Sequence, residues 1–139
     1  MLARNGLDPQ EALVCTMVLV AAAGSSISDR AIGVMSGLVQ TLPAFRDFSA
    51  LRLEVATTAA IDLLREDDGL QHAATMIRTA LEPRLRETAY TLACDVIAAN
   101  GFAEQESLRL LAFLRDELYL DQLAATAIER AARARYQVV

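Results

Sequence analysis

Two short stretches decide the predicted fold of this 139-residue sequence, Ala21-Ala22-Ala23-Gly24 and Ala98-Ala99-Asn100-Gly101. Each follows a run of apolar residues at helical spacing and ends in glycine, which readily adopts the left-handed conformation that closes a helix. We therefore predict a helix–loop–helix corner at each glycine. The alanines before the glycines are small enough to let neighbouring helices approach closely.

The segments around the two glycines align with each other when one extra residue is allowed in the first loop. This alignment indicates a pseudo-duplicated helix–loop–helix unit, with a repeat longer than that of any solenoid. The alternative, that any two amphipathic helices can be aligned in this way, stays open. The aligned pairs are Ile27 with Ala103, Ser28 with Glu104, Ile32 with Leu108, Met35 with Leu111, Leu38 with Leu114 and Leu42 with Leu118.

Start and stop signals divide the chain into about seven helices. The clearest is Asp8-Pro9-Gln10-Glu11, which combines a capping box with proline at the first helical position. No segment alternates with period two, so we predict an all-α, single-domain bundle over residues 1–139. The predicted helices run from Asp8 to about Ala23, Ser28 to Pro43, Ser49 to about Arg65, Gly69 to about Leu81, Pro83 to Gly101, about Ala103 to Leu118, and Asp121 to about Arg135.

Helical spacing also predicts which residues face the core. The first helix is apolar nearly all round and is expected to be buried on most sides. Phe45 and Phe48 are expected to anchor the connection after the second helix, and Asp68 with Gln71 predicts a capping box for the fourth. The predicted inward residues are Ile32, Met35, Leu38, Val39, Leu42, Leu53, Ala56, Ala60, Ile61, Leu64, Leu85, Ala89, Leu92, Val96, Ile97, Leu108, Leu111, Ala112, Leu114, Leu123, Ala127, Ile128 and Ala131.

The charge of the chain argues against binding to nucleic acid. The net charge is −5, and all basic residues are arginine. An acidic protein repels the phosphate backbone, and Arg130, Arg133 and Arg135 are explained by the dipole at the end of the last helix.

The apolar run Leu13–Ala23 resembles a signal peptide because it ends in alanines like those of a cleavage site. Asp8 and Glu11 oppose that interpretation, and the run is shorter than the roughly 20 residues that cross a bilayer. We predict a cytoplasmic protein without direct membrane insertion.

The polar and reactive residues give little indication of catalysis. Cys15 and Cys94 lie in apolar stretches and are predicted to be buried free thiols, with a disulfide left open. Asp95 continues the polar stripe Arg84, Glu87 and Thr91 of the fifth helix and is predicted to be solvated or paired across turns.

The acidic run Glu66-Asp67-Asp68 does not have the spacing of an EF-hand and is predicted to be a solvated loop. His72, the only histidine, is explained by exposure in the first turn of the fourth helix. We predict that the protein is not an enzyme and identify no small-molecule substrate. A small hydrolase would need clustered carboxylates around His72.

From about Asp8 to Leu120 the chain resembles the TerB-like family, which is named for a tellurite-resistance protein. That family has an early apolar helix ending in Ala-Ala-Asp-Gly, a helical middle, and a second such corner followed by a Glu-containing helix. The corresponding stretches here are Val20–Gly24, Ile97–Gly101, Glu104-Gln105-Glu106 and Leu108-Arg109-Leu110-Leu111. The resemblance implies a bundle of about seven helices.

In some members of that family, acidic residues near the corners bind a divalent metal. The family's Asp before each glycine is Ala23 in the first corner and Asn100 in the second. The remaining oxygen ligands are Asn100, Glu104 and Glu106, which would suit a cation such as calcium or magnesium. The alternative is that these acids simply favour a helix N-terminus.

The resemblance implies a non-catalytic, protein-interacting component of a bacterial stress-response system related to tellurite resistance, with a protein partner or a second copy of the chain. The alternative function is divalent-metal binding or sensing. The main hypothesis needs no cofactor, whereas the alternative needs calcium or magnesium.

Overall fold

The computed structural model describes residues 6–22, 26–99 and 105–139. Over these ranges the chain forms seven α-helices and one turn of 3-10 helix, with no strand, which confirms the predicted all-α bundle. None of the described helices is long and apolar enough to cross a membrane. The helices are α1 (Pro9–Ala21), α2 (Asp29–Thr41), α3 (Ala50–Leu64), α4 (Gly69–Ala80), α5 (Pro83–Ala99), α6 (Gln105–Glu117) and α7 (Gln122–Arg135), and the 3-10 turn is Pro43–Phe45.

Four helices begin at the caps that the sequence predicts. The Asp8 carboxylate accepts a hydrogen bond from the Glu11 amide at 2.8 Å, and the Glu11 carboxylate accepts one from the Asp8 amide at 2.9 Å. This reciprocal pair satisfies two amides that helix geometry leaves without a partner. The other three helices are capped by the side chains of Ser28, Ser49 and Asp121.

The start of α4 differs from the prediction. Asp68 has φ 53° and ψ 28°, in the left-handed region, and its side chain makes no capping hydrogen bond. Gln71 instead donates to the Glu117 carboxylate at 3.0 Å, across to the end of α6. The predicted capping box of Asp68 and Gln71 is therefore wrong, because the corner between α3 and α4 is too tight for Asp68 to stay extended.

Two helices, α1 and the second half of α5, form the centre of the bundle. Every residue of α1 from Glu11 to Ala21 is buried, as are residues 92–98 of α5. The only buried hydroxyl of α1, that of Thr16, donates to the Ala12 carbonyl at 2.8 Å. The prediction that the first helix is buried on most sides is confirmed. Phe45 and Phe48 are also buried and fix the connection after α2.

Several residues predicted to face the core are exposed instead. Ile32 is 52% exposed, Leu108 is 39% exposed and Leu123 is 78% exposed. In α7 the buried residues are Ala125 and Ala132, so the helix is rotated relative to the predicted face. An alanine-rich helix has no strongly preferred apolar side, and the polar contacts described below set its rotation. Ala127 and Ala131 are exposed as well.

The helix contacts agree with part of the predicted duplication. α3 packs along α1 as α7 packs along α5. The aligned residues Met35 and Leu111 are both buried. The two halves differ in that α2 packs mainly on α5, whereas α6 packs on α5, α4 and α1. The glycine corners themselves, residues 23–24 and 100–101, lie outside the described residues.

Candidate functional site

A cleft of about 750 Å³ opens between α2 and α3. It exists because α3 packs along α1 whereas α2 packs mainly on α5, so that α2 and α3 contact each other only slightly. Arg52, in the first turn of α3, pairs with Asp8 and Gln10 at the start of α1, so α1 and α3 run parallel. α2 runs in the opposite direction, because the Gln10 side chain donates to the Ala44 and Arg46 carbonyls just beyond the end of α2. The lining residues are Ala22, Ser26, Ile27, Ile32, Met35, Ser36, Ala50, Leu53, Glu54, Thr57, Thr58, Ile61, Leu64 and Arg65.

Most of the cleft surface is apolar. Leu53, Ile61 and Leu64 of α3 are half-buried, and Met35 of α2 closes the floor. Ile32 forms the rim, where half of its surface meets solvent. An exposed isoleucine beside several half-buried apolar residues is typical of a surface that binds another apolar group.

The apolar surface continues beyond the cleft over the outer side of α3. Leu51 is 68% exposed and Val55 is 44% exposed. Sites for small ligands usually bury most of the ligand surface. This cleft is open along its rim and continues onto a neighbouring helix face, which suits a larger, elongated occupant better.

Two charged residues mark the ends of the cleft. Glu54 lies near the start of α3 and Arg65 immediately follows its end, and both line the cleft. Neither side chain takes part in an ion pair with the residues that the structure describes. The cleft therefore has an acidic end and a basic end with apolar residues between them.

The predicted metal-binding cluster falls largely outside the described residues. Asn100 and Glu104 lie outside them, while Glu106 is exposed in the first turn of α6. Among the described residues, no three side chains of histidine, cysteine, aspartate or glutamate come together to hold a metal. The metal site at the second corner stays a prediction.

The acidic run and the histidine are at the surface. Glu66, Asp67 and Asp68 are exposed, as predicted for a solvated loop. The His72 Nδ1 atom lies 3.7 Å from a Glu66 carboxylate oxygen, and both side chains are more than half exposed. An imidazole in this position lacks the buried orienting carboxylate of a catalytic triad.

The interface between α5 and α7 contains polar contacts that the sequence did not predict. Asp95 is buried and forms an ion pair with Arg135 of α7, so the prediction that it is solvated or paired across turns of its own helix is wrong. The Tyr90 hydroxyl donates to the Glu129 carboxylate at 2.5 Å, and Arg115 contacts the same carboxylate at 3.3 Å. These pairs fasten α7 to the centre of the bundle.

Both cysteines are buried and free, which confirms that prediction. Burial raises the pKa of Cys15 to about 12. It raises the pKa of Cys94 to about 12 as well, and the nearby carboxylates of Glu129 and Asp95 add to the effect. Because the thiolate is the reactive form, neither thiol is suited to act as a nucleophile near neutral pH.

Comparison with known proteins gives no match to a family model, to a curated protein or to a solved structure. The TerB-like resemblance therefore rests on the sequence of the two glycine corners and of the Glu-containing helix that follows the second.

Proposed function

We propose that this protein is a non-catalytic helical module that binds a protein partner in the cleft between α2 and α3. The observation that carries the proposal is the exposure of Ile32 above a cleft floored by half-buried apolar residues. Burying such a surface against a partner is favourable by about 25 cal/mol for each Å² of apolar area.

The resemblance to the TerB-like family supplies the cellular context of the proposal. We propose that the partner belongs to a cytoplasmic, bacterial stress-response complex related to tellurite resistance. The acidic net charge of −5 disfavours nucleic acid as the partner. The pKa values of both thiols, raised by burial, and the exposure of His72 support a non-catalytic role.

Site-specific photo-crosslinking in the native cells tests the proposal. A photoreactive residue at Ser36, inside the cleft, is expected to trap a defined protein, whereas one at Thr126, exposed on α7, is expected not to trap it. Ile32→Asp places a charge on the cleft rim and should abolish the cross-link without unfolding the protein.

Leu123→Asp is the matched control, because Leu123 is an exposed apolar residue of α7 outside the cleft. This variant should leave the cross-link from Ser36 unchanged. The proposal is wrong if the cross-link survives Ile32→Asp, or if Ser36 and Thr126 trap the same proteins. Circular dichroism of both variants verifies that the fold is retained.

A further inference from the structure

The spacing of Glu54 and Arg65 matches the repeat of a helix. They are separated by 11 residues, which is close to three full turns and about 16 Å along the axis. The backbone at Arg65 is still helical, with φ −82° and ψ −12°. The two charges therefore lie on one side of α3, at opposite ends of the same cleft.

Most other arginines near the helix packing surfaces already have a partner. Arg52 pairs with Asp8, Arg78 with Glu117, and Arg115 with Glu129. Arg65 and Glu54, by contrast, have no ionic partner among the residues that the structure describes. They are available to a bound molecule that carries the complementary charges.

The space between these charges suits a helix. Thr57 and Ile61 lie between them on α3, and Ile32 faces them from α2. A length of about 16 Å accommodates three turns of helix. A helix bound in a groove inserts apolar residues at positions i, i+3 or i+4, and i+7. An extended strand would need unpaired backbone groups beside it, and the cleft walls are helices whose backbone groups are paired internally.

From these observations we propose that the occupant of the cleft is an amphipathic helix of about three to four turns, with an acidic end beside Arg65 and a basic end beside Glu54. This inference rests on the proposed function, since it specifies the partner of the same cleft.

The direction of the bound helix follows from the same charges. α2 and α3 run in opposite directions along the cleft, so their macrodipoles largely cancel there, and Glu54 and Arg65 dominate the local field. Helices favour acidic residues at the N-terminus and basic residues at the C-terminus. The bound helix therefore runs antiparallel to α3, with its N-terminus at the Arg65 end.

Selection from a phage-displayed library of 16-residue peptides tests this inference. The baits are the wild-type chain, the exchange variant Glu54→Arg with Arg65→Glu, and Ile32→Asp. Wild-type selection should give helical peptides with an acidic first turn and a basic last turn. Because helices favour an acidic N-terminus, the exchange variant should select peptides of the same polarity that lie in the reverse direction, parallel to α3. A photoreactive residue at the peptide N-terminus reports this direction by cross-linking near position 54 instead of position 65.

The affinities of the selected peptides provide the quantitative test. The apolar residues of each peptide suit one direction in the cleft. Each peptide should therefore prefer the chain that selected it by roughly fivefold to tenfold in Kd, because two exposed ion pairs are exchanged for two repulsions. The preference should shrink in high salt, which screens exposed charges. A matched control exchanges two exposed charges of α6, Arg109→Glu with Asp116→Arg, and should change neither the direction nor the affinity of peptide binding.

The outcomes separate this inference from the proposed function. Peptides that need Ile32 for binding but carry no charge difference between their ends, or that bind in a non-helical form, overturn the inference. Such peptides still support the proposed function of the cleft as a binding site. If every selected peptide still binds the Ile32→Asp variant, or if no peptide is selected, the result counts against both the inference and the proposed function. A wild-type dimer in sedimentation that Ile32→Asp converts to a monomer makes the occupant a second copy and overturns the inference.

Discussion

At the scale of single residues, the thiols of Cys15 and Cys94 link folding to pH. Each has its pKa raised from 9.0 to about 12, with burial as the main cause. The unfolded chain loses these protons at lower pH than the folded chain. The stabilisation is therefore complete below pH 9 and is lost as pH rises from about 9 towards 12.

We expect the free energy of unfolding to fall by about 1 kcal/mol for each thiol between pH 8 and pH 10. Urea denaturation over this range measures the effect. The chain has no lysine, so tyrosines are the main other groups titrating there. The variant with Cys15→Ala and Cys94→Ala should lose stability less steeply with pH. If the free energy of unfolding falls equally steeply with pH in the wild type and in this variant, the two thiols do not link folding to pH.

The burial of these cysteines could be predicted because their apolar neighbours are local in the sequence. The burial of Asp95 could not. Its stripe begins with Arg84 and Glu87, which are exposed at the start of α5. Further along, α7 covers the same side of the helix and supplies Arg135 as the partner. Only the tertiary position of α7 determines where the polar stripe becomes interior.

At the scale of helices and their connections, the tightest corner lies between α3 and α4. Gly69 begins α4 directly against the end of α3. A Cβ atom at this position would lie 2.4 Å from the Leu63 carbonyl oxygen and 2.8 Å from that of Leu64. These are backbone atoms, which cannot move aside as the end of a flexible side chain can. The absence of a side chain at Gly69 is therefore required by the path of the chain.

Gly69→Ala should lower the free energy of unfolding by about 1–3 kcal/mol, because the added methyl group overlaps backbone atoms. Gly37→Ala is the matched control, since a Cβ there meets nothing within 4 Å and the residue is exposed in α2. Removing a glycine from the interior of a helix should stabilise the protein by about 0.5–1 kcal/mol. Chemical denaturation measures both. Equal effects of the same sign would show that this corner is not constrained as described.

The helix starts were predictable and the helix faces were only partly so. Caps such as Ser28 and Ser49 act on amides three residues away, so a short sequence determines them. The rotation of α7 depends on contacts with α5 that lie about 40 residues away in the chain. The cleft could not be predicted from the sequence for a related reason. Ile32 has the spacing of a core residue, and it is exposed because α2 packs on α5 and leaves a cleft between itself and α3.

At the scale of the whole molecule, the helices differ in how firmly they are attached. α1 packs against α3, α4 and α5 and is buried on every side. α7 packs mainly on α5 and buries only Ala125 and Ala132 fully. Its remaining attachments are the polar pairs made by Glu129 and Arg135. Helices with few buried apolar contacts open in local fluctuations before the molecule unfolds as a whole.

Native-state hydrogen exchange is therefore expected to show α7 opening with a lower free energy than α1. Val18→Ala, a truncation in the buried centre of α1, should reduce the protection of α1 amides by about thirtyfold, corresponding to about 2 kcal/mol. It should leave α7 amides unchanged, because α1 stays folded when α7 opens. Asp95→Ala should reduce protection in both helices, since its ion pair with Arg135 is broken by local and by global opening alike. If Val18→Ala instead reduces protection equally in both, α7 unfolds only together with the core, and its polar contacts hold it as firmly as apolar packing holds α1.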